Sequence, residues 1–487
     1  MTADLLAVGL SARALCEAAL RAGVRPVAVD FFGDLDLRRR VRGVAVSRDL
    51  GCAWDARAAA LAAGSLPTRA VAYAADLENA PAAVARLARG RELLGNPPAV
   101  LRQVRDPGRF FGALSAAGVP VPATVLPRRL RRLATVAADA APDAARSGPG
   151  SPLPARTRAR GSATSLGPGR GRRAGSAAPD DRVARASAWL RKPRARGGGL
   201  GIRAAPAGSR PGRGEILQEL LEGPALGLSF VADGREVRPL ALAAAVEDRA
   251  AFGAPPFAYC GSLTALPGAS DDVSLREQAL AAARAATRAF GLRGWGGMDF
   301  VLRRGELVPV EVNPRHTASM DLVDTATEPL FALHAAACRG RVDPEAGWLA
   351  APDGIRGKAV LWAREDVIAF PSEGWPLARD PATAPSCRVA DVPFPGDPVA
   401  AGRPVCTLYA AGASAADCLT ALRALAARVE RDLVPAASLP TDFPWRALPV
   451  TDVLAATHVP AAHGLPGRRH LPAAAGLEPD VRVPADP

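Results

Sequence analysis

The stretch MDFVLRRGELVPVEVNPR, residues 298–315, decides the fold because it combines a hairpin pattern with two acidic residues that face each other. Apolar residues recur on both sides of a turn signal at Gly305, as in two antiparallel strands. With the turn centred on Gly305, Asp299 lies directly opposite Glu311. Period-two alternation then places the following residues on one face of the second strand: Leu307, Pro309, Glu311 and Asn313. Pro309 cannot donate to the ladder, so this strand is expected at a sheet edge or with a bulge.

Two carboxylates that face each other across strands repel, and the pair costs stability unless a cation lies between them. Mg²⁺ takes a few carboxylate or amide oxygens and fills its remaining positions with water and phosphate oxygens. The hairpin therefore predicts a magnesium site at Asp299 and Glu311, with Asn313 as a third oxygen ligand. The alternative is an acidic hairpin whose carboxylates pair with nearby arginines, namely Arg303, Arg304 or Arg315.

A glycine-rich segment upstream, ASAWLRKPRARGGGLGIR at residues 186–203, contains a rare lysine. Of the 61 Lys and Arg residues, only Lys192 and Lys358 are lysines. A crowded phosphate pocket accepts a compact ammonium more readily than a broad, planar guanidinium. The glycines offer close backbone approach and free N–H groups to an anion, although the segment is not a Walker A sequence. We predict a phosphate site here; the alternative is a lysine present by chance beside a flexible loop.

The N-terminal region alternates between strand and helix. LLAVGL predicts a strand, SARALCEAALRAG a helix that ends at Gly23, and RPVAVD a second strand closed by Asp30. This order indicates a parallel α/β layer. The first turn has a single glycine, Gly9, so a dinucleotide-binding fingerprint is absent.

The net charge of +13 is concentrated in an arginine-rich segment rich in Gly, Pro and Ser. Residues 126–185 have little to bury and predict a disordered insertion. The alternative is a nucleic-acid arm, although no aromatic residues are interleaved for stacking. The seven cysteines are scattered without a C-x-x-C pair, which disfavours zinc and disulfide frameworks. The sequence has no membrane span or cleavable leader, so we expect a soluble, cytoplasmic protein.

Three motifs together resemble the ATP-grasp superfamily: K-P-x-x-x-G-G-G-x-G-I, then Q-E-L-L-E-G, then D-x(11)-E-V-N-P-R. The resemblance covers roughly residues 1 to 430. PPFAYCGSLTALP, EVNPRHTASM and PFPGDPVAAGRPVCTLYAAG look most like a branch described as predicted ATP-dependent carboligases related to biotin carboxylase. The resemblance implies an α/β ATP-grasp fold with an N-terminal parallel α/β (pre-ATP-grasp) domain, a lid subdomain and a C-terminal α+β region.

The expected domains follow from this resemblance and the composition. They are an N-terminal α/β domain at 1–125, the insertion at 126–185, the lid and metal-binding core at 186–345, an α+β extension at 346–450 and a low-complexity tail at 451–487.

The resemblance also implies site roles for ATP and Mg²⁺ (or Mn²⁺). Lys192 would hold nucleotide phosphate, and Arg315 would stabilise an acyl-phosphate intermediate. Asp299, Glu311 and Asn313 would bind the metal. The remaining nucleotide contacts would be the lid-loop glycines Gly197, Gly198, Gly199 and Gly201. The adenine hinge would consist of Gln218, Glu219 and Leu221, with Glu222 as its neighbour.

The chain departs from the family pattern at several positions. Ala225 stands where many relatives carry a ribose-binding glutamate, so Glu222 or a backbone group would have to substitute. The usual first ATP lysine falls near Pro107, which leaves Arg105 or Arg109 as stand-ins. Lys358 lies in GKAVLWAR, which resembles the G-H-A strand of biotin carboxylases. The arginine expected five residues later is Ala363, with Arg364 one place out of register, and this argues against biotin as the acceptor.

The sequence allows two interpretations for each of two side chains, Lys358 and His316. Lys358 is either a ligand or a solvated strand end. His316 either touches substrate or is simply hydrogen-bonded. Trp295 and Phe300 are predicted to belong to the core.

The first functional hypothesis is an ATP-dependent carboxylate–amine ligase that forms an acyl phosphate and releases ADP and phosphate. Its partners would be a small-molecule carboxylate and an amine, with no membrane and no nucleic acid; a homodimer is compatible with the sequence. The alternatives are a bicarbonate-using carboxylase and a non-enzymatic nucleotide sensor with an arginine-rich nucleic-acid arm.

Overall fold

The structure is a computed structural model that describes residues 3–127, 188–206, 208–266, 272–349, 354–372, 375–377 and 387–439. The insertion predicted at 126–185 lies almost wholly outside these ranges, and so does the predicted tail at 451–487.

The N-terminal layer is a parallel α/β sheet, as the sequence predicts. Its strands are β1 (Ala3–Gly9), β2 (Pro26–Asp30), β3 (Gly43–Ala45), β4 (Thr68–Tyr73) and β5 (Glu92–Leu94). They pair in the order β3-β2-β1-β4-β5. The helices are α1 (Arg13–Arg21), α2 (Leu35–Arg38), α3 (Val46–Leu50), α4 (Ala56–Ala62), α5 (Pro81–Leu87), α6 (Pro98–Val104) and α7 (Pro107–Ala116). Gly23 follows α1 with a φ of 71°, the left-handed conformation that commonly ends a helix.

A small antiparallel sheet follows. Its strands are β6 (Thr124–Val125), β7 (Trp189–Pro193), β8 (Arg203–Ala205) and β9 (Glu215–Glu219), in the order β6-β9-β7-β8. The glycine loop, residues 197–201, connects β7 to β8. Strand β6 falls at the end of the predicted N-terminal domain and pairs with β9 of this small sheet.

The largest sheet has eight strands. They are β10 (Ala225–Asp233), β11 (Val237–Ala245), β12 (Gly261–Leu263), β13 (Arg293–Arg303), β14 (Glu306–Asn313), β15 (Ile355–Trp362), β17 (Arg388–Ala390) and β19 (Pro404–Gly412). Their order is β14-β13-β10-β11-β12-β15-β19-β17. Two helices accompany the sheet, α8 (Asp272–Phe290) and α9 (Leu330–Cys338), with a 3₁₀ turn at Ala318–Leu322.

The two faces of this sheet are buried differently. One face packs Phe300 and Phe230 against small residues of α8 such as Ala283. On the other face, Trp295 joins a cluster that includes Leu15 of α1. Phe300 and Trp295 are each 1% exposed, which confirms that both belong to the core. The polar residues of β13 and β14 therefore face the N-terminal layer.

The C-terminal region continues in short strands and a closing helix, as predicted. β16 (Val367–Ala369), β18 (Asp397–Val399) and β20 (Leu433–Pro435) form a three-stranded sheet, and α10 is Ala415–Glu430. Further 3₁₀ turns lie at Ala63–Ser65, Leu77–Asn79 and Ala436–Ser438. All seven cysteines are free. Among the helices that the structure describes, none has the length and apolarity required to span a bilayer.

The hairpin of β13 and β14 contains a bulge that changes its predicted geometry. Arg303 pairs with Glu306 at the turn and Phe300 with Pro309, whereas Asp299 pairs with Glu311, so Val310 is the extra residue. β14 is also the edge strand of its sheet. The predicted edge or bulge at Pro309 is thus confirmed on both counts.

The bulge corrects one prediction about the faces of β14. Leu307 belongs to the core cluster on the α8 side, and so does Val312, five positions further along. An odd separation on one face requires one residue outside the alternation, and Val310 supplies it. Leu307 and Pro309 therefore do not share a face with Glu311 and Asn313. The prediction that all four share a face was wrong because simple alternation does not account for the bulge.

Candidate active site

The predicted metal ligands converge on the face of the hairpin that points toward the N-terminal layer. Asp299 pairs with Glu311, and Gly297 with Asn313. The Asn313 amide nitrogen donates to Asp299 Oδ2 at 2.9 Å, and its oxygen accepts from Arg315 Nη2 at 3.1 Å. Among the described residues no group of three or more His, Cys, Asp or Glu gathers that could hold a metal. A metal here would thus have two carboxylates and would depend on amide, water or phosphate oxygens for the rest.

The two facing carboxylates differ in their proton affinity. Burial, together with repulsion from Glu311, raises the pKa of Asp299 to about 6. Burial also acts to raise the pKa of Glu311, but the neighbouring cations Arg105 and Lys192 lower it below its ordinary value. A divalent cation between the two would relieve the repulsion that Asp299 experiences.

Arg105 is the stand-in that reaches the site. Its Nη1 donates to Glu311 Oε1 at 3.1 Å and to the Val312 carbonyl at 2.8 Å. Arg109, the other candidate, is exposed, and its backbone N–H donates to the Asp106 carboxylate that caps α7. Of the hairpin arginines, Arg303 pairs with Glu219. The self-paired hairpin considered above is therefore not what the structure contains.

Lys192 lies on β7 and points to the bulge. Its Nζ donates to Gln218 Oε1 at 3.0 Å and to the Val310 carbonyl at 3.3 Å. Burial lowers the pKa of Lys192, while the carboxylates of Glu311 and Asp299 oppose that shift. The Val310 carbonyl at the bulge therefore accepts from Lys192, and this bond joins the small sheet to the hairpin beside Asp299 and Glu311.

The glycine loop passes close to Arg315. A Cβ on Gly197 would be 3.5 Å from Arg315 Nη2, so the loop passes close above that guanidinium. Gly198, Gly199 and Gly201 have φ values of 64°, 74° and 81°. A Cβ on Gly199 would lie 1.8 Å from the Phe257 carbonyl oxygen. Only glycine permits this conformation together with this approach.

The predicted hinge residues occupy the end of β9 and the segment after it. Gln218 is buried beside Lys192. Glu219 accepts from the backbone N–H of Ala123 at 3.1 Å, and Leu221 is buried. Glu222 is exposed and makes no hydrogen bond or ion pair to the described part of the chain.

Arg315 is held by a residue that the sequence did not single out. Glu78, in the 3₁₀ turn after β4, accepts from Arg315 Nε at 2.6 Å. Burial acts to lower the pKa of Arg315, but Glu78 raises it above its usual value. Glu78 Oε2 is buried and has no partner among the described residues. The available signal was its place after the carboxyl end of a parallel strand, where polar residues gather into sites.

Lys358 is not a solvated strand end. It is 4% exposed, and its Nζ donates to Asp321 Oδ2 at 2.8 Å and to the Ala318 carbonyl at 3.1 Å. Asp321 also accepts from the Tyr409 hydroxyl at 2.6 Å. Arg364, by contrast, is about half exposed and lies near Glu430, away from this cluster.

Comparisons with known proteins concern the domain and the fold. Residues 173–319 match the family model of the ATP-grasp domain. No curated protein sequence matches the chain. Among solved structures, biotin carboxylase from Campylobacter jejuni, in a beta-gamma-ATP complex, aligns with a TM-score of 0.59 at 12% identity over 89% of this chain and 92% of that one.

Two further structures are similar in extent. N5-carboxyaminoimidazole ribonucleotide synthetase from Thermus thermophilus aligns with a TM-score of 0.52 at 19% identity, over 90% of this chain and 99% of that one. L-amino acid ligase from Bacillus licheniformis aligns with a TM-score of 0.53 at 13% identity, over 89% and 98%.

Residues 173–319 thus match an ATP-grasp domain, and the fold of the chain is the ATP-grasp fold of these structures. The domain match and these neighbours support an ATP-dependent enzyme. Placement in the carboligase branch stays a prediction.

Proposed function

We propose that the chain is a ligase that activates a carboxylic acid with MgATP and transfers the acyl group to an amine. Three cations, Lys192, Arg105 and Arg315, lie around Asp299 and Glu311, and the glycine loop passes close to Arg315. This single constellation supports the proposal, because phosphoryl transfer needs positioning and charge neutralisation more than covalent chemistry.

The residues present fit a bound magnesium ion. Asp299 and Glu311 face each other in register, and the pKa of Asp299 is raised by burial and by that neighbour. Asn313 supplies an amide oxygen once its bond to Arg315 is exchanged. When bound, Mg²⁺ would neutralise charge on the nucleotide phosphates.

The reaction then follows from the chain's own groups. Lys192 and the glycine-loop N–H groups hold the terminal phosphate. A carboxylate oxygen of the acid attacks the γ-phosphorus, the bond to the β-phosphate oxygen breaks, and ADP leaves. Arg315 stabilises the acyl phosphate, and the amine nitrogen attacks its carbonyl carbon with release of phosphate.

The test is a product analysis with an isotope label. The protein is mixed with ATP, Mg²⁺, amines and ¹⁸O-labelled carboxylic acids. We expect ADP, and phosphate that carries one ¹⁸O from the acid. AMP and pyrophosphate, or unlabelled phosphate, would overturn the acyl-phosphate mechanism. Glu311→Gln should abolish turnover, whereas Glu306→Gln, an exposed change on the same strand, should not.

A carboxylase that uses bicarbonate is the second candidate, since biotin carboxylase has the highest TM-score of the structures compared above. Biotin as acceptor is disfavoured, because Ala363 replaces the expected arginine and Arg364 lies near Glu430 instead. ATP hydrolysis that depends on bicarbonate and needs no amine would favour this candidate over the ligase.

The non-enzymatic alternative rests on the arginine-rich segment, most of which the structure does not describe. Deletion of residues 128–180 separates the two. A ligase keeps its turnover, whereas a nucleic-acid-docking protein loses its partner and its salt-dependent affinity.

A further inference from the structure

A buried charge cluster lies beside Arg315 and has no role in the proposed phosphoryl transfer. Its centre is Asp321, whose Oδ2 accepts from Lys358 at 2.8 Å and from Tyr409 at 2.6 Å. Arg13 Nη2 lies 3.7 Å from the same oxygen. Burial acts to raise the pKa of Asp321, but Lys358, His316 and Arg13 hold it well below its usual range. Asp321 is therefore a fixed anion.

The other oxygen of Asp321 faces a histidine. Asp321 Oδ1 and His316 Nε2 are both buried, and neither makes a hydrogen bond within the described ranges. They are 3.6 Å apart. A buried carboxylate oxygen without a donor destabilises the fold. We assign the Nε2–H tautomer, because it is the one that supplies this donor, and such contacts commonly shorten when substrate binds.

This assignment leaves His316 Nδ1 with its lone pair. Among the described residues, Nδ1 makes no hydrogen bond, so its lone pair has no partner there. The ring is held edge-on to Trp295 at 4.9 Å, and Trp295 stacks on His334 at 3.9 Å. Packing therefore fixes the orientation of the imidazole.

His316 also lies next to the acyl-phosphate position. Its backbone carbonyl accepts from Arg315 Nη1 at 3.0 Å. The charged or titratable groups around the ring come from several elements: Asp321, Lys358, Arg315, Arg13 and His334. Burial lowers the pKa of His316 to about 4, against the opposing charge of Asp321, so the imidazole is neutral at neutral pH.

We propose that His316, oriented by Asp321, accepts a proton from the amine substrate during attack on the acyl phosphate. The inference rests on the proposed function and deepens it. The amine nitrogen forms the bond to the carbonyl carbon, the carbon–oxygen bond to phosphate breaks, and phosphate leaves with the electron pair. The nitrogen's proton passes to Nδ1 and then to solvent. An oriented base of this kind is a recurring arrangement in acyl transfer.

The test uses hydroxylamine, which is largely unprotonated at neutral pH and traps acyl phosphates as hydroxamates. The wild type is first screened for hydroxamate formation with amino acids, dicarboxylic acids and hydroxy acids, and the best acid is then paired with amines. We expect His316→Asn to lower amide formation about 10²–10⁴-fold. Its hydroxamate formation should stay within about threefold of wild type, because hydroxylamine makes little demand on a base.

His334→Asn is the matched control, since His334 is a second buried histidine against the same tryptophan. It should change both rates by the same factor. If His316→Asn fails to fold, His316→Gln serves in the same comparison. Equal loss of both reactions in the His316 variant would overturn this inference and leave the ligase intact. A wild type that forms no hydroxamate with any acid would overturn the ligase proposal itself.

Discussion

The contact between the glycine loop and Phe257 allows a sharp test of the site, through Gly199→Ala with Gly198→Ala as its control. Both glycines have a left-handed φ, 74° and 64°. A Cβ on Gly199 would lie 1.8 Å from the Phe257 oxygen, whereas a Cβ on Gly198 meets nothing within 4 Å. The two variants therefore share the backbone strain and differ only in the contact.

The expected magnitudes follow from these two terms. Left-handed strain costs about 1–2 kcal/mol for a residue with a Cβ, which is a factor of about 5–30. Real Cβ contacts do not fall below 3.0 Å, so the loop of the Gly199→Ala variant must move by more than 1 Å. That displacement also disturbs the hydrogen bond from Tyr259 N to the Gly198 carbonyl at 2.9 Å. A misplacement of about 1 Å can cost about 100-fold in rate.

The assay is steady-state release of ADP at varied ATP, reported as kcat/KM. Gly198→Ala should lose about 5–30-fold by the strain above, and Gly199→Ala about 100-fold more. Equal losses in the two variants would refute the idea that the loop works only when docked on Phe257. Thermal unfolding of both proteins shows whether either loss reflects a failure to fold.

Three further predictions concern the charged groups of the site. Lys192→Met should raise KM for ATP more than Lys192→Arg does, but neither should reach wild-type turnover, as ADP release will show. In the metal-free protein, the raised pKa of Asp299 means that its charged form destabilises the fold as pH rises through about 6. Asp299→Asn should therefore stabilise the apo protein by about 1–3 kcal/mol at neutral pH and remove any Mg²⁺-dependent rise in Tm; a Tm rise with Mg²⁺ that persists in the variant would contradict this. Glu78→Gln should lower kcat while leaving KM for ATP within about threefold, because it loosens Arg315 and not the nucleotide contacts; a selective rise in KM would count against it.

Sequence reasoning could bring the predicted metal ligands together because they lie on one hairpin. Pairing within a hairpin is local, so Asp299 and Glu311 could be matched by counting from the turn. Simple alternation failed at Val310, because a bulge leaves no reliable signature in one sequence. Even so, Asp299 pairs with Glu311 as predicted. The turn is centred between Arg304 and Gly305, not on Gly305, and the extra residue Val310 restores the predicted pairing beyond the bulge.

The residues that sequence reasoning missed come from distant parts of the chain. Glu78 reaches Arg315 across 237 positions, and Arg13 lies against Asp391 across 378. Neither pairing is encoded in any local period or motif, because it depends on how the N-terminal layer packs on the large sheet. Long-range ion pairs are therefore visible only once the topology is known.

The two lysines lie in sites that suit a lysine better than an arginine. Lys358 is buried and Lys192 is half-buried, and each donates to a backbone carbonyl and a side-chain oxygen: Lys192 to Val310 and Gln218, Lys358 to Ala318 and Asp321. A point charge on a flexible stem can serve two acceptors set at such angles, whereas a planar guanidinium needs more room and a forked partner. The same argument separates the roles of the two lysines. Lys192 stands where phosphate would approach beneath the glycine loop, while Lys358 fixes the anion that orients His316. The two lysines of this chain would therefore serve the two steps of the proposed reaction, phosphoryl transfer and amine attack.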